Sequence, residues 1–271
     1  MLKMYGDQIK LESGINRGVS FARNRGTELS TGGYIQYLDS DDLLAPGTLD
    51  KRVSALRITS ADVAYTDWQK FDLNADGSMH RLEKIERSME SVNIDPQIAC
   101  ATSFWAPPVA LLYRRNIVNA IGGWNEELPI IQDARFLFDA AHKGAEFVRV
   151  PGIGAYYRTA NIGSLSKKNE YKFVLDVLHN ANQIQELWLQ ETALTERRKL
   201  ALIGIYDYAA RALFQHDEEN FMAALGRLRL LGMKRSMRFT TAAGSLTELF
   251  GIRLARKMMG TAQALKKSLR N

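Results

Sequence analysis

Asp39-Ser40-Asp41-Asp42 sets three carboxylates within four residues. Such carboxylates repel one another unless a cation or hydrogen-bond donors sit among them. Hard oxygen ligands in that number suit Mg²⁺ or Mn²⁺ better than zinc. The cluster ends an apolar run, Tyr34-Ile35-Gln36-Tyr37-Leu38, that reads as a strand. The carboxyl ends of strands in open α/β sheets are where ligands bind. The alternative is a turn with an Asp helix cap, because Pro46-Gly47 and a helical pattern from Thr48 to Arg57 follow.

A second constellation is Asn16-Arg17-Gly18-Val19-Ser20-Phe21-Ala22-Arg23-Asn24-Arg25-Gly26. Gly18 and Ser20 open a predicted helix, and helix N-termini attract phosphate. Arg23 supplies a fixed cation and Asn24 an amide, both suited to a nucleotide. A solvated basic helix face is the competing reading. Asp133 opens another predicted helix, Asp133 to Lys143, where it could be a base or simply a favourable helix charge. Trp105, in Phe104-Trp105-Ala106-Pro107-Pro108, could stack on a sugar or fill a turn.

The elements that must position these residues alternate short strands and helices up to about residue 169, an α/β layer pattern. Strands are predicted at Asp62–Thr66, Val109–Tyr113, Phe147–Val150 and Gly154–Arg158, with a short helix from Arg114 to Ile121 closed by Gly122-Gly123. Beyond Asn169 the pattern changes to long helices. One face groups Val174, Val177, Leu178, Ala181, Ile184 and Trp188; a second groups Leu200, Ile203, Tyr206, Ala210 and Leu213; a third groups Phe221, Leu225 and Leu228. The expected organisation is one α/β domain over 1–169 and a helical extension over 170–271.

Composition narrows the function classes. The 271-residue chain is 46% hydrophobic and 24% charged, and it has a single cysteine. Cys100 excludes an intrachain disulfide framework and a cysteine zinc cluster, which fits a reducing, cytoplasmic location. No apolar run reaches transmembrane length, and the N-terminus shows no apolar signal core. The net charge of +6 is unevenly spread. Residues 226–271 hold eleven Lys or Arg and one acid, Glu248, whereas the rest is mildly acidic. Such a tail favours a polyanionic partner, either an anionic membrane surface or nucleic acid. Its only aromatics are Phe239 and Phe250, too few for base stacking, so nucleic acid is not expected.

In order and spacing, the constellations resemble the family 2 glycosyltransferases, which have a GT-A fold. N-x-G-x-S-x-A-R-N-x-G is followed by a strand running into L-D-S-D-D. Then come Tyr113-Arg114-Arg115, Ile121-Gly122-Gly123-Trp124-Asn125-Glu126, Gln132-Asp133 and Gly144. Tyr156-Tyr157-Arg158 with Ser164 and Ser166 is similar to the family's closing segment. The resemblance spans about residues 5–168. It implies a GT-A-like mixed sheet flanked by helices, and an inverting, metal-dependent enzyme using a nucleotide-diphosphate sugar and a glycan or lipid-linked acceptor, as in surface polysaccharide synthesis.

Residue by residue, Asp39 and Asp41 match the D-x-D pair that holds the divalent ion, with Asp39 also on the donor. Asn16, Gly18, Arg23 and Asn24 match the nucleotide side, and Asp133 matches the general base. Trp105, Trp124 and Gln132 fall on the acceptor side. Two departures stand out. Gln132 replaces the first member of an acidic pair, and Arg158 and Asn161 stand where a His is often found, which implies either phosphate contact through Arg158 or a metal site with fewer ligands. The family's opening strand–helix–strand unit has no counterpart before Asn16. The expectation is therefore the back two-thirds of such a domain, short by roughly 50 to 70 residues. The alternative function is a truncated, non-catalytic domain that binds a nucleotide sugar or a partner. The basic tail is expected to lie on an anionic membrane at the inner face or, alternatively, to pack on the body with its charges solvated.

Overall fold

The structure is a computed structural model. It describes residues 6–74, 76–86, 92, 95–159, 169–191, 194–232 and 238–268. The chain divides into two compact units, Met1–Ser164 and Leu165–Asn271.

The first unit is a six-stranded mixed sheet with helices around it. In chain order it contains α1 (Val19–Leu29), β1 (Tyr34–Ile35), β2 (Leu43–Leu44), α2 (Thr48–Thr59), β3 (Val63–Leu73), β4 (Met79–Glu86), α3 (Pro96–Thr102), β5 (Leu111–Arg114), α4 (Arg115–Ile121), α5 (Gln132–His142) and β6 (Phe147–Arg158). The strand order is β1-β5-β3-β6-β2, with β4 paired to β3. Only β3 and β6 run parallel; the other pairs are antiparallel. Val63 to Trp68 of β3 are all buried, as expected of a central strand covered on both faces.

Four elements differ from the sequence expectation. The predicted strand Tyr34–Leu38 pairs only at Tyr34 and Ile35. The segment facing its continuation is a helical turn, Pro108–Ala110, opened by Pro107. Proline has no N–H to extend a ladder, and the Gln36 amide instead donates to the Pro108 carbonyl at 3.0 Å. The two strands predicted around Pro151-Gly152 are one, β6. Its pairing with β3 jumps from Thr66↔Val150 to Asp67↔Ile153, so Pro151 and Gly152 form a bulge that spares the ladder. Strand β4 and helix α3, the latter capped by the Asp95 carboxylate on the Ile98 N–H, were not anticipated.

Arg52 of α2 ties this unit together. It is fully buried. Its guanidinium donates to Gln36 Oε1 at 2.7 Å, the Val109 carbonyl at 2.9 Å and Thr66 Oγ1 at 2.6 Å. Burial pulls its pKa down to about 10, which still leaves it charged at neutral pH. Gly154 lies beside this knot: a Cβ there would meet Thr66 Oγ1 at 2.4 Å and Thr48 Oγ1 at 2.5 Å.

The second unit is helical: α6 (Glu170–Glu191), α7 (Glu196–Leu213), α8 (Glu218–Leu230), α9 (Arg238–Phe250) and α10 (Ile252–Ser268). Its core takes up most of the predicted faces, with Trp188, Tyr206, Phe221, Leu225 and Leu228 fully buried. Leu200, expected on the α7 face, is 46% exposed. Thr195 and Asp217 cap α7 and α8 through their side chains.

Candidate active site

The Asp39-Ser40-Asp41-Asp42 segment is a tight turn between β1 and β2, closed by the Asp42 N–H on the Asp39 carbonyl at 3.1 Å. Its carboxylates are treated differently. Asp39 is half-exposed and takes both its hydrogen bonds from Arg23 Nη2, at 2.6 and 2.9 Å. Asp42 is buried, and its Oδ1 accepts from the Arg158 backbone N–H at 2.9 Å, which fixes the turn to the end of β6. Asp42 Oδ2 is buried without a hydrogen-bond partner. Burial, aided by the neighbouring Asp39 and Asp41, pushes the Asp42 carboxyl up to about 7.

Arg23 comes from α1, which starts after Gly18. The Gly18 N–H is received by Asn16 Oδ1 at 3.0 Å, a local turn that sets the helix entry. The Arg23 guanidinium lies 4.2 Å over the Trp124 ring. Trp124 in turn stacks flat on Phe136 of α5, at 4.1 Å and 4°, and meets Tyr37 edge-on at 4.8 Å. This aromatic block links the turn-bearing segment to the helix that carries Asp133.

Trp124 was expected to face an acceptor. It is only 4% exposed, so it supports the site from behind. Asn24 was expected on the nucleotide side. Its amide instead holds the Gly123–Glu126 loop, accepting from the Trp124 N–H at 2.6 Å and donating to the Trp124 carbonyl at 3.0 Å and Glu126 at 3.1 Å. A Cβ on Gly123 would come within 2.9 Å of Asn24 Oδ1, and its φ of +113° suits glycine alone. Gln132 is also buried, at 7% exposure, with Oε1 unpartnered.

Asp133 sits in the first turn of α5, where the helix dipole favours its charge. Oδ1 accepts from the Ala134 N–H at 2.8 Å and Oδ2 from the Trp105 indole N–H at 3.0 Å. Burial nevertheless holds its pKa above the ordinary carboxylate range. Trp105 is 37% exposed and packs edge-on against Trp68 at 5.4 Å and Tyr157 at 6.0 Å. Tyr157 stands between the two acidic groups, packed on the Trp105 ring that donates to Asp133 and next to Arg158, whose N–H donates to Asp42. Burial raises its phenol to about 12, and the charges of Asp133, Asp42, Asp39 and Asp41 all add to that rise. Arg23 likewise acts on both Asp42 and Asp133.

Direct contacts therefore link Arg23 to Asp39, and Asp42 to Asp133 through Arg158, Tyr157 and Trp105. Asn161, Ser164 and Ser166 lie outside the described residues. Sequence reasoning missed Trp68 and gave Tyr157 no individual role.

A curled mixed sheet with an acidic turn at its edge and a carboxylate on a facing helix defines a GT-A-like fold. The sequence model of the family described as Glycosyl transferase family 2 matches residues 1–122 of the chain. It is 28% identical over 166 residues to an uncharacterized glycosyltransferase of Rickettsia bellii (strain RML369-C), covering 59% of this chain. It is 20% identical over 229 residues to the minor teichoic acid biosynthesis protein GgaB of Bacillus subtilis (strain 168), covering 78% of this chain. The match spans only 24% of each of those proteins. Among solved structures, S. aureus TarS 1-349 in complex with UDP-GlcNAc shares the fold, with a TM-score of 0.61 at 14% identity, covering 97% of this chain and 78% of that one.

Proposed function

We propose that the chain transfers a sugar from a nucleotide diphosphate to an acceptor hydroxyl with inversion, in the synthesis of a surface polysaccharide. The observation that carries this reading is the run of contacts from Asp133 to the acidic turn: Asp133 accepts from the Trp105 indole N–H, Trp105 packs on Tyr157, and the next residue, Arg158, donates its backbone N–H to Asp42. The shared fold with a UDP-GlcNAc complex supports a nucleotide-sugar donor. The relative named for teichoic acid biosynthesis supports a cell-surface polymer as the product.

In this reading Asn16, Gly18, Arg23, Asp39 and Arg158 border the donor, and Asn24 holds the loop behind them. Asp133 removes the acceptor proton as the oxygen attacks the anomeric carbon, and a single displacement inverts that centre. Its raised pKa makes it a stronger base than a free aspartate while leaving it ionised above its titration. The exposed face of Trp105 is read as the acceptor side; Gln132, expected there, is buried next to Asp133 at the start of α5.

The residues fit a divalent cation. Among the described residues no three His, Cys, Asp or Glu side chains form a ready metal cage. Mg²⁺ commonly takes one or two carboxylates and completes its shell with phosphates and water. Asp39 and Asp41 would supply those carboxylates, and the unpartnered Asp42 oxygen beside them shows a turn short of positive charge. A bound Mg²⁺ or Mn²⁺ would neutralise the charge that builds on the leaving diphosphate.

The α/β part, 1–169, is read as catalytic and 170–271 as an extension that brings it to the inner face of a membrane, where lipid-linked acceptors reside. Leu249, Phe250, Leu254 and Met258 are 73, 52, 45 and 41% exposed beside the exposed Arg253 and Lys257, an apolar and basic surface suited to anionic lipid. No helix among the described residues is long and apolar enough to cross a membrane.

The test is transfer from a panel of UDP-, GDP- and CDP-linked sugars with Mn²⁺, comparing wild type with Asp41→Ala and Asp133→Ala. Wild type should transfer, and Asp133→Ala should lose about 10²- to 10⁴-fold in rate while still binding donor. Asp41→Ala should lose metal-dependent donor binding. Equal transfer by all three chains would end the assignment.

A further inference from the structure

We infer that Trp105 is a positioning residue for the Asp133 carboxylate, acting through its indole N–H, with its ring preset by Trp68 and Tyr157. The inference rests on the reading of Asp133 as the base.

Four observations carry it. The indole Nε1 donates to Asp133 Oδ2 at 3.0 Å, while the other carboxylate oxygen is held by the Ala134 N–H at 2.8 Å. The indole is thus, among the described residues, the one side-chain donor on the carboxylate, beside the backbone N–H groups of Asp133 and Ala134. The backbone around Trp105 is anchored on both sides. Phe104 is buried against Tyr65 at 5.0 Å and Phe147 at 5.9 Å, Ala106 is fully buried, and Pro107-Pro108 follow. The indole is then held edge-on by Trp68 at 5.4 Å and Tyr157 at 6.0 Å, and those two meet at 5.6 Å. Trp68 is 6% exposed, so this support is itself fixed.

The arrangement separates two jobs that one tryptophan could do. A ring that only stacks on a sugar would set acceptor binding. A ring whose N–H is engaged by the base sets the direction and basicity of that base. A donor on a carboxylate favours the charged form, so the Trp105 N–H opposes the rise in Asp133 pKa that burial causes. The other charged or titratable groups acting on Asp133 among the described residues are Arg23 from α1, Tyr113 from β5 and Tyr157 from β6. Of these, Arg23 is the cation, and neither tyrosine ionises near neutral pH.

Trp105→Phe keeps an aromatic face and removes the donor. With the full chain, the expected result is a fall in kcat of about tenfold, acceptor KM within about twofold, and an acid limb moved up by about one pH unit. A raised acceptor KM with an unmoved acid limb would overturn the inference and leave Trp105 as a stacking surface.

An arm independent of turnover uses ¹⁵N-indole spectra, in which the Trp105 resonance is assigned by its loss in Trp105→Phe. It should titrate with the midpoint of Asp133 in wild type and stop titrating in Asp133→Asn. A resonance that never titrates, or that titrates unchanged in Asp133→Asn, overturns the inference. Absence of transfer by wild type with every donor would instead refute the functional reading, and the indole titration would still decide whether Trp105 acts on Asp133.

Discussion

Replacing Asn24 by alanine separates two readings of the Arg23-Asn24 pair. If the amide reads the nucleotide, Asn24→Ala should weaken donor binding and leave stability nearly unchanged. The structure sets the opposite expectation. The amide holds the Trp124 backbone on both sides, at 2.6 and 3.0 Å, and Trp124 is only 4% exposed. Both bonds are part-buried, so water replaces the lost partners poorly. Each buried backbone group left unpaired costs about 1 to 3 kcal/mol, and the exposed Glu126 contact adds little, so a total of about 2 to 4 kcal/mol is expected.

Because Trp124 stacks on Phe136, the loss should also loosen the start of α5. Urea unfolding followed by tryptophan fluorescence measures the first effect, and hydrogen exchange at the Trp124 amide measures the second. An unfolding midpoint within about 0.5 kcal/mol of wild type, with Trp124 still protected, would refute the reasoning.

Other changes have equally definite expectations. Gly154→Ala should destabilise the chain by about 1 to 3 kcal/mol in thermal or urea unfolding, because its Cβ would enter the space of Thr66 and Thr48. Arg52→Met should cost about as much or more, since it strands Gln36, Thr66 and the Val109 carbonyl. Asp42→Asn keeps an acceptor for the Arg158 N–H and removes a poorly solvated charge. The Asp42 carboxyl is raised from 3.8 to about 7, so its contribution to stability is full below about pH 4 and lost as pH rises through about 7. In EDTA, Asp42→Asn should therefore be more stable than wild type at pH 8, by roughly 2 to 4 kcal/mol, and equal to it near pH 4. Removing residues 245–271 should abolish co-sedimentation with liposomes rich in phosphatidylglycerol; undiminished binding would end the membrane reading.

Much of this site was legible from residue order. The acidic turn, the helix start at Gly18, the Gly122-Gly123 stop and the opening of α5 at Gln132-Asp133 all stand close to where spacing put them, because capping and turn chemistry are local. What the sequence concealed depends on contacts far apart in the chain. Nothing near Trp68 or Tyr157 marks them as neighbours of Trp105, since the parallel pairing of β3 with β6 brings them together. Asn24 and Trp124 are separated by a hundred positions, and the hydrogen bonds between them change the expected role of both. Arg52 has no mark in the sequence, and only the fold surrounds it with carbonyl and hydroxyl oxygens.

The central claim is that Asp133 and the acidic turn serve one displacement at an anomeric carbon. The most direct test follows the product of wild-type transfer from an α-linked nucleotide sugar by NMR, alongside Asp133→Asn. The account expects a β-linked product from wild type, and from Asp133→Asn a rate lower by about 10²- to 10⁴-fold with donor affinity kept. An α-linked product, or an Asp133→Asn chain as fast as wild type, would contradict it.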